Sequence, residues 1–199
     1  MTTKRWTPAD LSLARQALAL GKAANIVAKG SSYATTKAEQ QEQMWFVEWC
    51  HAQTIDLVDI EGDPFSIRLD AALVGYPGGA FLSGNKKRRG MQWALLRKMG
   101  CKAGVTDLVL NVPMNGWHGM HLEMKKRRDQ FRCPNDAANA LSTQQTAYLH
   151  LMRRLGYFTG VAFGWIEAAA KTCTYLGWNP TKRGIEDDKI LTITGMQKI

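Results

Sequence analysis

Residues 104–128 read GVTDLVLNVPMNGWHGMHLEMKKRR, and the fold turns on how this stretch divides. GVTDLVLNV is rich in β-branched and aliphatic residues, and MHLEMK alternates strictly between apolar and polar. PMNGWHG, between them, holds the proline and glycines of a connection, so two joined strands are expected. Alternate residues of a strand share a face, which puts Met120, Leu122 and Met124 on one side and His121, Glu123 and Lys125 on the other. Such a strand reads as half core and half site. Asp107 is the only charge in the first strand, and antiparallel pairing would bring it near Glu123. Two carboxylates that close repel each other unless a cation lies between them. Oxygen-only ligands favour a hard ion such as Mg²⁺ over zinc. Lys125, on the same face, could hold a water or stabilise negative charge developing on a phosphate. A second reading stays open at this point: Asp107 and Glu123 simply pair with Lys or Arg.

Downstream, residues 126–140 are polar and irregular and suggest a mobile loop. Ser142-x-x-Gln145 has the form of a capping box and opens a helix that ends near Leu155-Gly156. YFTGVAF is expected as a strand, Trp165 to Leu176 as a helix, and residues from Gly177 as a loosely attached tail. Upstream, a helix with a basic entrance runs from Asn85 to Met99 and stops at Gly100. Tyr76-Pro77-Gly78-Gly79 is a turn, preceded by a possible strand around Leu73 to Tyr76. Within residues 54–76, Asp63-Pro64 either caps a short helix or closes a turn between two strands. A helix from about Ala38 to Ala52 comes after the polar loop SSYATTK. Thr7-Pro8-Ala9-Asp10 starts another that runs to about Lys29 and Gly30. The order predicts a mixed α/β sheet sandwiched by helices, with an N-terminal helical extension.

The chain has 199 residues, of which 45% are apolar, enough for a sizeable core and too apolar for disorder. Lys and Arg number 26 against 17 Asp and Glu, a net +9 that makes a polyanion the first partner to consider. No apolar run approaches the roughly 18 residues of a membrane span, so no membrane partner is expected. The stretch after Lys4-Arg5 is broken by Asp10, Arg15 and Gln16, unlike a secretory signal. Cys50, Cys101, Cys133 and Cys173 show no Cys-x-x-Cys spacing, which suggests free thiols in a reducing, cytoplasmic setting. The string KKRR occurs twice, at 86–89 and 125–128.

The segment from Gly104 to Arg127, together with LSTQQTAYLHLMRRLGY beyond it, resembles the VRR-NUC family of the PD-(D/E)XK nuclease superfamily, and most of all its small stand-alone phage and bacterial members. The shared pattern falls on Gly104, Asp107-Leu108, Glu123, Lys125, Ser142, Gln145 and Gly156-Tyr157. EQQEQMWFVEW resembles the family's first helix, its Glu at Glu39 and its Gln at Gln43, and Pro77-Gly78-Gly79 resembles its glycine turn. Thr106 stands where the family has proline, and the asparagine of the glycine turn is missing. The resemblance implies a restriction-endonuclease-like nuclease domain over 39–176, with 1–38 as a helical extension and 177–199 as a tail.

It also implies a DNA nuclease that uses Mg²⁺, with Mn²⁺ substituting. Asp107, Glu123 and the Met124 backbone carbonyl would hold the metal, with Glu39 joining through water. Lys125 would position the nucleophile or stabilise the transition state, and Gln145 would orient Lys125 or the water. Phosphate contacts would come from Lys86, Lys87, Arg88, Arg89, Lys126, Arg127 and Arg128, with Gly78, Gly79 and Ser142 also against DNA. Branched DNA is the implied substrate, and a homodimer would pair two sites for a four-way junction. A flap or nicking nuclease is the enzyme alternative, and a DNA-binding protein that keeps the fold without catalysis is the non-enzyme one. His118-x-x-His121 makes a poor zinc pair, with no third His or Cys nearby, though His121 on the site face could meet DNA or water. Gln145 could equally be no more than a cap, and Trp45, Trp49 and Trp93 are expected in the core.

Overall fold

The computed structural model describes residues 32–76 and 85–185. The helix expected from Thr7 and the turn at Pro77, Gly78 and Gly79 lie outside them. By its contacts the chain divides after Lys37, and the sheet with its flanking helices belongs to the second unit. Helix α1, Ser32–His51, begins within the segment expected to be a loop. No Gly or Pro stands between Gly30 and Gly62, so nothing in the composition breaks the helix before His51. Its buried residues Glu42, Phe46, Trp49 and Cys50 recur at three- and four-residue spacing, the inner face of a helix.

Strands β1, Thr54–Val58, and β2, Pro64–Arg68, form an antiparallel hairpin of their own, with Ile55 opposite Ile67. This decides the open reading of Asp63-Pro64 in favour of a turn between strands. Asp59 closes that turn by accepting hydrogen bonds from the Glu61 and Asp63 amides, each at 2.9 Å. A short 3₁₀ turn, Leu69–Ala72, leads into the main sheet.

That sheet contains β3, Leu73–Gly75, β4, Leu108–Leu110, β5, Met120–Lys125, and β6, Phe158–Phe163, in the order β3-β4-β5-β6. The basic helix, α2, Lys86–Lys98, lies between β3 and β4 in the chain. The first three strands are antiparallel, and β6 runs parallel to β5. A parallel pair needs a crossover, and residues 126–157 supply it. This stretch, expected to be irregular as far as residue 140, folds into a 3₁₀ turn at Arg128–Gln130, the short helix α3, Pro134–Ala138, and α4, Thr143–Arg154. Helix α5, Trp165–Leu176, packs on β5 and β6, with Ala168, Ala169, Thr172 and Cys173 buried. The result is a mixed α/β sheet flanked by helices, as the sequence predicts.

Two further expectations are corrected. Strand β5 is buried along its whole length, His121, Glu123 and Lys125 included, because it is an interior strand and its polar face is covered as well. Residues 178–185 are not loosely attached. Ile185 is buried in the core, and the Trp49 indole donates to the Arg183 carbonyl at 3.1 Å. Among the described residues no helix is long and apolar enough to cross a membrane.

Candidate active site

Leu108 pairs with Leu122 in the antiparallel register, so Asp107, just before β4, meets β5 at Glu123 and Met124. Its Oδ2 accepts a hydrogen bond from the Met124 amide at 2.8 Å. Glu123 has no exposed surface. Its Oε1 accepts from Lys125 Nζ at 2.7 Å and from the Gln145 side-chain amide, whereas its buried Oε2 receives no hydrogen bond from a donor. A buried acceptor without a donor is costly, and it marks where a cation could bind.

The charges acting on Glu123 are those of Asp107, Glu39 and Lys125. With Glu123 itself ionised, that makes three negative charges against one positive. Burial, and next the Asp107 charge, push the Glu123 carboxyl up to about 7, with Lys125 opposing. Burial also raises Asp107, against the pull of the Met124 amide and Lys125. Glu39, half-buried one turn ahead of Glu42, is raised by burial too, while Lys125 lowers it and Asp107 raises it. Asp107 and Glu123 lie close enough to share a proton, and in their charged forms neither can donate to the other. The donor set is all oxygen, it is short of positive charge, and Glu123 Oε2 has no donor when both carboxyls are charged. These residues fit a hard divalent cation. Glu39 is not drawn tightly into the cluster: among the described residues, only the exposed Asp59, Glu61 and Asp63 bring three ligand atoms within 4.8 Å of one another. In that trio Asp59 is already engaged by its own turn.

Gln145 performs two tasks at once. Its Oε1 accepts from the Ser142 amide at 2.9 Å while Ser142 Oγ accepts from the Gln145 amide, closing a capping box. Its Nε2 points the other way, to Glu123. The helix start comes this close because residue 104 is glycine. With φ at +84°, a Cβ there would lie 2.5 Å from the Gln144 backbone. Gln43 lies by the end of β3, its amide nitrogen 3.7 Å from where a Cβ on Gly75 would stand.

His121 does not face solvent. It is buried between the rings of Tyr148 and Tyr157, with centroids at 5.6 and 5.0 Å, and burial lowers its pKa. Its Nδ1 is 3.0 Å from the Thr106 hydroxyl, and both residues are buried. His118 meets the same Tyr157 ring at 5.7 Å.

The basic residues divide. Lys86, Lys87, Arg88 and Arg89 are exposed on the first turn of α2, capped by Asn85, and make no ion pair among the described residues. No residue of α2 is buried, and Trp93, expected in the core, is only half-buried, as is Trp45. The second run is engaged by partners within the chain, with Arg127 and Arg128 still exposed. Lys126 sits 4.5 Å over the Phe131 ring, and Arg127 pairs with Glu42 at 3.3 Å. Arg128 pairs with Glu167 at 3.3 Å and stacks 3.9 Å over Phe163. The sequence reading missed Glu42 and Glu167, both buried carboxylates. For Glu42 a signal existed: it stands four residues before Phe46 and seven before Trp49, on the inner face of α1.

No family model matches the chain, and no curated protein matches it. A solved chain described as a VRR_NUC domain protein is similar at 21% identity with a TM-score of 0.47. The match covers 69% of this chain and 86% of that one. A likeness of this size assigns neither family nor activity.

Proposed function

We propose that this chain is a Mg²⁺-dependent DNA endonuclease acting on branched DNA, with resolution of four-way junctions as its leading activity. The observation that carries the reading is the opposition of Asp107 and Glu123 across β4 and β5, with Glu123 Oε2 buried and without a donor. The resemblance of the Asp107, Glu123, Lys125 and Gln145 pattern to VRR-NUC nucleases supports it, as does the net charge of +9.

In this reading Asp107, Glu123 and the Met124 carbonyl hold the ion, with Glu39 acting through water. When bound, Mg²⁺ or Mn²⁺ would supply the Lewis acidity that offsets phosphate charge and activates water for in-line attack. The chain's own groups do the rest. Lys125, held on Glu123 Oε1, carries a positive charge beside the place where negative charge would develop. Gln145 holds the same oxygen and so limits how Glu123 can rotate. Lys86 to Arg89, exposed and without ion pairs among the described residues, would take the phosphate backbone. A homodimer would present two such sites for paired cuts.

One observation favours a second reading, a DNA-binding protein without catalysis: Glu123 Oε1 and Lys125 already form a buried ion pair at 2.7 Å. Cleavage of end-labelled four-way junction, flap and linear duplex with Mg²⁺, Mn²⁺ or EDTA separates the two. Paired, metal-dependent cuts in the junction, absent from Asp107→Ala, support the proposal. Cuts confined to the flap would move the substrate to flap or nicked DNA. Salt-sensitive binding with no cleavage under any metal would leave the binding protein.

A further inference from the structure

The exit of β5 and the start of α5 meet at a junction that the activity proposed above does not use. Gly164, ahead of α5, has no side chain to cap the helix, and its φ is +91°. A carboxylate from elsewhere does the capping: Glu42 of α1 accepts the Trp165 amide on Oε2 at 3.0 Å, across 123 residues of chain. Its Oε1 faces Arg127 Nε at 3.3 Å. Glu42 is 1% exposed, so both oxygens are committed inside the protein. The Gly164 amide donates to the Lys125 carbonyl at 2.9 Å, so the same junction also grips the backbone of the candidate catalytic lysine. The fit is close. A Cβ on Gly164 would stand 2.7 Å from Arg127 Cγ and 3.2 Å from Glu42 Oε2.

Glu39 lies one turn before Glu42 on the same face of α1 and feels the charges of Asp107 and Lys125. Where Glu39 sits is therefore set by where α1 is pinned, together with a hydrogen bond that the Glu39 carboxylate accepts from the Lys126 backbone amide. Phe46 and Trp49 pin the far end of its buried face, and Glu42 is the pin nearest the site. We propose that Glu42 is a positioning residue for the candidate metal site, tying α1 to the β5–α5 junction so that Glu39 is kept where its charge reaches Asp107 and Glu123. The inference rests on the metal-site reading and adds a residue to it. It also assigns Arg127 to this tie.

The test is Mn²⁺ binding by the full chain, monitored by electron paramagnetic resonance, with thermal unfolding alongside. Glu42→Gln keeps an acceptor for the Trp165 amide and removes the charge that holds Arg127. Expected is a loss of Mn²⁺ affinity of about tenfold, the lower end for removing an outer partner of a metal ligand. The loss should exceed that of Ile185→Val, a core control far from these residues in the chain, compared at matched fraction folded. Glu39→Ala should weaken binding to a similar degree, and Glu39→Ala/Glu42→Gln should be no weaker than Glu39→Ala alone. If Glu42→Gln does not fold, Arg127→Gln loosens the tie from its other side and is read against the same control. Wild-type affinity in the folded variant, or additive losses in the double variant, would overturn the role of Glu42. Absence of Mn²⁺ binding in the wild type, unchanged by Asp107→Ala, would instead overturn the metal site itself.

Discussion

The two KKRR runs are identical in sequence and opposite in situation. At 86–89 the four cations open a helix with no buried residue, and none has an ion-pair partner among the described residues. At 125–128 each is engaged: Lys125 on Glu123, Lys126 over Phe131, Arg127 on Glu42, and Arg128 on Glu167 and Phe163. Four cations at the positive end of a helix dipole are unfavourable by themselves, so the first run is suited to an external polyanion. The second is part of the structure. A charge run is thus read by what its neighbours offer, and here the neighbours are three buried carboxylates from β5, α1 and α5.

Mutations can break or sharpen this contrast. The largest effect is expected at Lys125. Lys125→Ala removes the one cation acting on Glu123, and cleavage should fall by about 100-fold or more, measured in single turnover. Next, replacing Lys86, Lys87, Arg88 and Arg89 together by Gln should weaken DNA binding strongly while leaving the melting temperature nearly unchanged. The slope of log K against log salt should become shallower by about 3.6, the release expected for four phosphate contacts on duplex DNA. An unchanged slope would place the phosphate contacts elsewhere. Arg128→Ala should behave in the opposite way, destabilising the fold by about 1–2 kcal/mol in urea. That is less than a fully buried pair would cost, because the guanidinium is 43% exposed.

The smallest effect is one of pH. Burial and the Asp107 charge push the Glu123 carboxyl up to about 7, whereas an unfolded Glu releases its proton near 4.5. Metal-free protein should therefore lose stability as pH rises between those values, and added Mg²⁺ should restore it at the upper end. A melting temperature that rises over this range without metal would contradict the raised carboxyl.

Much of the fold is legible in the sequence because it is written locally. The Asn85 cap, the Ser142–Gln145 box and the Gly177 stop are short-range signals, and each stands where the chain begins or ends a helix. The antiparallel approach of Asp107 to Glu123 depends on one short connection. What escapes is long-range. Nothing within MHLEMK says that its polar face will be covered, because the groups that close over it, Gln145 and Tyr148, come from α4. The tie between Glu42 and Trp165 spans 123 residues, so no window of sequence contains both partners. The hairpin at 54–68 is ambiguous in sequence because Asp and Pro start helices and close turns equally well. Gln145 reads in sequence as either cap or site, and the amide has one end for each.

The central claim is that Glu123 is held as a charge for a metal and not merely as a partner for Lys125. Glu123→Gln keeps the shape and an acceptor for Gln145 while removing that charge. Single-turnover cleavage of a labelled four-way junction, at protein concentrations that saturate the DNA, compares the variant with the wild type. The account predicts junction binding within about twofold of wild type and cleavage lower by about 1,000-fold or more. A variant that binds and cuts like the wild type would contradict it.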